Sequence, residues 1–181
     1  MSLTRFPRPS RRLFGRRLLL SLPLLLGCWY GFAGGGLPED IKTVAVMPFD
    51  NLTTEPALTA QVNTAVQTAM QGRLGLRAAG ESTADAVVRG SITRYEPDLP
   101  VAYTGSGTNN APGNQNVTVT QRALQMTLTI EIYDQRAGKS LWQRTGLMVE
   151  ANYPPGQEAL GRERALEKLV TDIVEGAQSQ W

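Results

Sequence analysis

The sequence contains no histidine and a single cysteine, Cys28, among its 181 residues. Without histidine there is no Ser-His-Asp or Cys-His arrangement for nucleophilic catalysis, and no imidazole ligand for zinc. One cysteine can form neither a disulfide within the chain nor a thiolate metal cluster. The acidic residues are scattered outside the apolar runs, and no glycine-rich stretch has the spacing of a phosphate-binding loop. We therefore expect no enzymatic activity, no metal site and no cofactor.

The N-terminal segment has the organisation of a bacterial lipoprotein signal peptide. Six arginines precede a leucine-rich stretch over residues 18–26, which Gly27 and Cys28 follow. A basic head, a short apolar core and a small residue before the cleavage site are typical of a secretory signal. The run LLGC resembles a lipobox, which implies cleavage after Gly27 and acylation of Cys28. A transmembrane helix is disfavoured, because the apolar run is shorter than about 20 residues and contains Pro23.

Most of the positive charge of the chain belongs to this signal peptide. The whole chain has 18 Lys and Arg against 16 Asp and Glu, but six arginines and no acidic residue precede Cys28. The segment from Cys28 onward therefore carries 12 basic and 16 acidic residues, so nucleic acid is not an expected partner. Arg11 and Arg12 also resemble a twin-arginine export motif, and the sequence leaves the export route open.

Three regions follow from this pattern: a cleaved signal peptide over residues 1–27, a tether over 28–40 and one domain over 41–181. The tether is rich in glycine, which disfavours a helix. It is either a plain spacer, or its aromatic residues Trp29, Tyr30 and Phe32 lie at the membrane interface or on a partner. The length of the remaining chain suits a single domain with a hydrophobic core.

Apolar periodicity predicts the elements of this domain. The valine-rich segment Lys42–Phe49 is typical of a strand covered on both faces, and a 3-4-3 spacing after Pro56 predicts an amphipathic helix. Alternation predicts half-buried strands over Thr83–Tyr95 and Arg122–Tyr133. A short turn then predicts an antiparallel hairpin with residues 140–151, and a second amphipathic helix ends the chain.

These elements predict an α+β fold, arranged as a two-layer sandwich in the order β-α-β-β-β-α. We expect a mostly antiparallel four-stranded sheet with two amphipathic helices on one face. The proline- and asparagine-rich segment 96–116 is expected to be a long loop. The second face of the sheet is expected to be polar and uncovered.

Several segments together resemble the LptE family of lipopolysaccharide-assembly lipoproteins. They are the lipobox, IKTVAVMPFDNLTTEP, ADAVVRGSITRYE and the hairpin LTIEIYDQRAGKSLWQR. The resemblance implies an outer-membrane lipoprotein that faces the periplasm, plugs and helps to assemble the β-barrel LptD, and contacts lipopolysaccharide. VAVMPFDN also resembles curli-secretion and cell-wall-synthase-activator lipoproteins. A periplasmic scaffolding or regulatory lipoprotein is therefore the alternative.

Two sets of side chains are candidates for the contacts that this resemblance implies. Arg136 and Lys139 on the hairpin turn would contact lipopolysaccharide phosphates, unless they are only a solvated polar turn. The polar face of the third predicted strand would contact the wet interior of the barrel. Its members are Gln125, Thr127, Thr129 and Glu131.

Overall fold

A computed structural model describes residues 37–104 and 118–179. Two helices and six strands lie within these ranges. In chain order they are β1 (Thr43–Val46), β2 (Asp50–Asn51), α1 (Ala57–Gly72), β3 (Arg77–Ala78), β4 (Ala86–Thr104), β5 (Thr118–Asp134), β6 (Lys139–Tyr153) and α2 (Glu158–Gln178). The predicted signal peptide, Cys28 and the aromatic part of the tether lie outside the described residues.

The strands form one mixed sheet in the order β3-β1-β4-β5-β6, with β2 paired to β4. Strand β1 is parallel to both β3 and β4, and β4, β5 and β6 are antiparallel neighbours. The predicted four-stranded, mostly antiparallel sheet is therefore wrong in strand number and in the direction of its first half. The cause is physical: α1 is a crossover helix, which returns the chain for parallel pairing, and two-residue strands show no readable periodicity.

Both helices pack on one face of the sheet, so the two-layer α+β arrangement is confirmed. The main core lies between the layers, and most of its large apolar side chains are at most 1% exposed. They include Leu58, Val62, Val66 and Met70 of α1, Leu169 and Ile173 of α2, and Leu124, Met126, Leu128, Ile130 and Ile132 of β5. The alternation predicted for β5 is thus confirmed along the strand. Burial of this apolar area, at about 25 cal/mol per Å2, is the main favourable term in folding.

Strand β1 is covered on both faces, as its valine-rich sequence predicts. Val44 belongs to the main core, whereas Ala45 belongs to a smaller cluster with Ala84 and Val87 on the opposite face. Met47 packs against this smaller cluster. The second face of the sheet is therefore apolar beside β1 and becomes polar only towards β5 and β6, which corrects the expectation of a uniformly polar face.

The expected loop over residues 96–116 is partly wrong, because β4 continues to Thr104 and β5 begins at Thr118. The two strands pair as far as Thr104 opposite Thr118. Pro97 and Pro100 lie within β4, beyond Ile92, the last residue of β4 that pairs with β2. A strand edge without a partner tolerates proline, since no ladder hydrogen bond is lost there. Residues 105–117 lie outside the described ranges.

The two faces of β5 predict opposite sensitivities to truncation. Leu128 is fully buried in the core, so Leu128→Ala should lower the free energy of unfolding by about 2–5 kcal/mol. Thr127→Ala, one residue away on the partly exposed face, should cost no more than about 1 kcal/mol. Urea titrations of the purified domain measure both values, and equal losses would contradict the assignment of the faces.

Candidate functional site

The turn between β5 and β6 is held rigid by a buried carboxylate. Asp134 is 2% exposed, and its Oδ1 accepts hydrogen bonds from the backbone N–H groups of Arg136 at 2.8 Å and Ala137 at 2.9 Å. Gly138 has a φ of 64°, which a residue without a side chain adopts at little cost. Its N–H donates to the Asp134 carbonyl at 3.0 Å. The backbone at Arg136 is therefore fixed by local hydrogen bonds.

This turn is also attached to the segment that precedes β4. The N–H of Gln135 donates to the Asp85 carbonyl at 2.9 Å, and its side-chain amide donates to the Glu81 carbonyl at 2.6 Å. The Arg136 guanidinium forms an ion pair with the Asp85 carboxylate. The Asp85 side chain is only 6% exposed, whereas that of Arg136 is 65% exposed. The Arg136 guanidinium is thus held by the Asp85 carboxylate, while much of the side chain remains accessible to solvent.

Asp85 connects three parts of the chain. Its Oδ2 accepts hydrogen bonds from the backbone N–H groups of Lys42 at 3.0 Å and Thr43 at 2.9 Å, and its own N–H donates to the Thr43 hydroxyl at 2.9 Å. The Lys42 N–H is the largest cause that holds the pKa of the Asp85 carboxyl below its ordinary value. Thr43 and the positive charge of Arg136 act in the same direction, while burial opposes them.

Around Asp85 lies a cavity of about 450 Å3 with a cationic rim. Its cations are Arg136 on the turn, Lys42 immediately before β1, and Arg77 on the edge strand β3. The full lining is Asp40, Lys42, Thr43, Arg77, Thr83, Asp85 and Arg136. Three cations and the two carboxylates of Asp40 and Asp85 give this lining a net positive charge, which favours an anion from outside. We call this surface the cationic cavity.

The structure treats the two predicted cations differently. Arg136 lines the cationic cavity, whereas Lys139 begins β6 opposite Asp134 and is not part of its lining. Sequence reasoning missed Lys42 and Arg77, which are 35 positions apart in the chain. These two residues come together only through the parallel pairing of β1 with β3. No local sequence motif predicts this pairing.

The second candidate surface is the sheet face opposite the helices, which we call the open face. Gln125, Thr127, Thr129 and Glu131 lie on it and are all partly exposed, so the structure does bring these four predicted residues together. Glu131 forms an ion pair with Arg89 of β4 at 2.8 Å.

Further contacts across strands connect the side chains of the open face. The Arg89 guanidinium carbon lies 5.2 Å from the centre of the Tyr133 ring, within range of a cation–π contact. The Gln125 amide nitrogen lies 3.2 Å from the Met148 sulfur. Two groups of contacts between strands thus lie on the open face, and in one of them the charges of Arg89 and Glu131 are paired with each other.

A groove of about 450 Å3 crosses the open face beside β1. Met47, Pro48 and Val87 supply apolar lining, and Arg89 and Glu131 supply a charged border. Alternation along β4 already places Arg89 on this face, but the apolar end of the groove was missed. The apolar run of β1 could have predicted this end of the groove, because such a strand has apolar neighbours on both faces of the sheet.

Within the described ranges, no three acidic residues are grouped so that they could hold a metal ion. Neither of the two helices described here has the length and hydropathy required to cross a bilayer.

The LptE family model, described as lipopolysaccharide-assembly, matches residues 41–176. The chain belongs to the LptE family. The match includes every strand and nearly all of α2, and therefore both the cationic cavity, except Asp40, and the open face. Membership supports a general role as an envelope lipoprotein in lipopolysaccharide assembly. No curated protein sequence matches the chain.

Two solved structures resemble the fold of this chain at low sequence identity. The PelC dodecamer from Paraburkholderia phytofirmans is 17% identical, with a TM-score of 0.48, and the match covers 80% of this chain and 94% of that chain. Lipoprotein GNA1162 from Neisseria meningitidis is 14% identical, with a TM-score of 0.40, covering 74% and 96% respectively. Similarities at this level carry no functional argument, so the assignment rests on the family match.

The network around Asp85 predicts a pH-dependent stability. A carboxyl group whose pKa is lower in the folded than in the unfolded state stabilises the fold above the unfolded pKa of about 3.9, and this contribution is lost as the pH falls through the folded pKa. Asp85→Asn should therefore unfold at a lower urea concentration than the wild type at pH 7. The difference should shrink as the pH falls below about 4.

Glu175→Gln, which alters an exposed carboxylate on α2, is the matched control and should unfold like the wild type at pH 7. A difference between wild type and Asp85→Asn that stays constant from pH 7 to pH 2 would contradict the role given to the Asp85 carboxylate.

Proposed function

We propose that this chain is the outer-membrane lipoprotein subunit of a lipopolysaccharide translocon, anchored through Cys28. In this role it contacts the β-barrel LptD, supports its assembly and contacts lipopolysaccharide, without catalytic chemistry. The observation that carries the proposal is the family match over residues 41–176. The three-part division into signal peptide, tether and domain belongs to the same proposal.

The open face supports the contact with a barrel. The helices cover one side of the sheet, and no part of the described chain covers the residues around Thr127 and Thr129 on the other side. The interior of a large outer-membrane barrel is polar and hydrated. In a partly exposed layer of threonine and glutamine, Arg89 and Glu131 are already paired, so neither of these two charges would be buried unpaired against such a wall. The open face therefore suits a plug inside a barrel.

The cationic cavity supports the contact with lipopolysaccharide. Arginine binds phosphate through two parallel hydrogen bonds, and lysine acts as a point charge. Arg136 and Arg77 could supply the first kind of contact, and Lys42 the second. The cavity lies where the chain enters the domain, since Asp40 and Lys42 are part of its lining. The proposed phosphate contacts thus lie where the described part of the chain begins.

A photo-crosslinker in place of Thr127 tests the barrel contact. In cells, this position should form a covalent product with one outer-membrane β-barrel. A crosslinker in place of Gln67, which is exposed on α1, should give a lower yield of that product. Products with peptidoglycan enzymes instead of a barrel would contradict the translocon proposal and favour the regulatory lipoprotein.

Charge removal in the cationic cavity tests the lipopolysaccharide contact. The double variant Arg77→Gln with Arg136→Gln should weaken binding of purified lipopolysaccharide roughly tenfold, a change of about 1.4 kcal/mol. Lys139→Gln should have a smaller effect, because Lys139 is not part of the cavity lining. Lys168→Gln, an exposed cation on α2, is the control for total charge. The same loss of binding free energy per charge removed in all three variants would show that only net charge matters.

A further inference from the structure

At one end of the sheet the strands β4 and β5 continue as a two-stranded arm. We define the arm as Leu99–Thr104 of β4 and Thr118–Gln121 of β5. Strand β6 pairs with β5 only as far as Arg122, and β2 pairs with β4 only as far as Ile92. None of the ten arm residues is buried. A two-stranded ribbon is at best marginally stable in water, so the arm benefits from a surface that covers it.

The arm carries exposed apolar side chains and no charge. Val101 is 44% exposed and Tyr103 is 55% exposed, and Tyr103 lies directly opposite Val119. The sequence has no Asp, Glu, Lys or Arg from Leu99 to Gln121. The cores of protein–protein interfaces are depleted in charged residues and enriched in tyrosine. This composition is typical of a surface that becomes buried against another protein.

The β4 edge of the arm is protected against the addition of another strand. Pro97 and Pro100 remove two backbone N–H groups from β4, and the pairing is irregular between Glu96 and Leu99 and between Pro100 and Ala102. Prolines and bulges at an edge oppose edge-to-edge pairing. A partner on the β4 side would therefore contact the side chains of the arm rather than extend the sheet.

A polar and aromatic cluster fixes the direction of the arm at its base. The Tyr153 hydroxyl donates to the Pro97 carbonyl, and Arg122 of β5 forms an ion pair with Asp98 of β4. The Tyr153 ring packs on Gly161 of α2, where an added Cβ would lie 2.9 Å from the ring Cε1. The orientation of the arm is thus set by β6 and α2, which suits a surface that must meet a partner in one position.

We propose that the arm is a docking element, buried by the same β-barrel subunit that the open face contacts, at the end of the sheet opposite the cationic cavity. The inference rests on the proposed function. Continuity supports one partner, because β5 carries the arm at its start and the open face from Gln125 to Glu131. The threonines and glutamine that surround Tyr103 favour a protein wall over lipid chains. A strand of 17 residues spans about 55 Å, so the arm and the cavity lie far apart.

The test uses the full-length chain expressed in cells together with its natural envelope partners. A photo-crosslinker in place of Tyr103 should capture the β-barrel that a crosslinker at Thr127 captures. Tyr103→Glu and Val101→Glu should each reduce the amount of barrel recovered with the protein at least fivefold, because a charge would have to be buried in the interface. Tyr103→Phe and Gln67→Glu are the matched controls and should recover the barrel like the wild type. Since Tyr103 is more than half exposed, Tyr103→Glu should leave the melting temperature of the isolated protein unchanged.

The outcomes separate the two levels of the proposal. If the position of Thr127 captures the barrel but that of Tyr103 does not, and Tyr103→Glu still recovers it, the inference about the arm is overturned and the proposed function stands. Capture of phospholipid or of a second copy from the position of Tyr103 would also overturn it. If neither position captures a barrel, the proposed function fails together with the inference.

Discussion

The alternation of strand β5 is the constraint on which both surfaces of the molecule depend. One set of its side chains, including Leu128 and Ile130, fills the core under the two helices, and the other set, including Thr127 and Thr129, forms the open face. A shift of one residue in its pairing would exchange the two sets and expose the core. Because β5 pairs with both β4 and β6, its register also positions the arm at its start and the Asp134 turn at its end.

Asp85 provides the second constraint, because it fixes one end of the sheet. Its carboxylate holds the backbone at the start of β1 and the Arg136 guanidinium on the hairpin turn. A buried charge is tolerated only when hydrogen bonds and an opposite charge compensate for the loss of water. Both kinds of compensation are present here. The same contacts that satisfy Asp85 also hold Lys42 and Arg136 at the cationic cavity, so structural and proposed binding roles meet in one network.

The sequence allowed the two layers to be predicted, but not the direction of every strand or the full content of the cavity. The helices and β5 were predictable because each shows a long, regular period. Strands β2 and β3 have two residues each, and a period cannot be read from two residues. Pro97 and Pro100 indicated a loop, although prolines are compatible with a strand whose edge is unpaired. Arg136 was predicted from its turn, whereas Arg77 joins it only through the parallel pairing of β1 and β3.

The central claim is that the open face of the sheet is covered by a partner in the envelope. Labelling of a single cysteine at Thr129 tests this most directly, because Cys28 is the only natural cysteine and is proposed to be acylated. In the Thr129→Cys variant, a membrane-permeant maleimide should react readily with the isolated protein and at least tenfold more slowly in intact outer membranes. Equal rates of labelling in the two preparations would show that the open face is uncovered and would contradict the account.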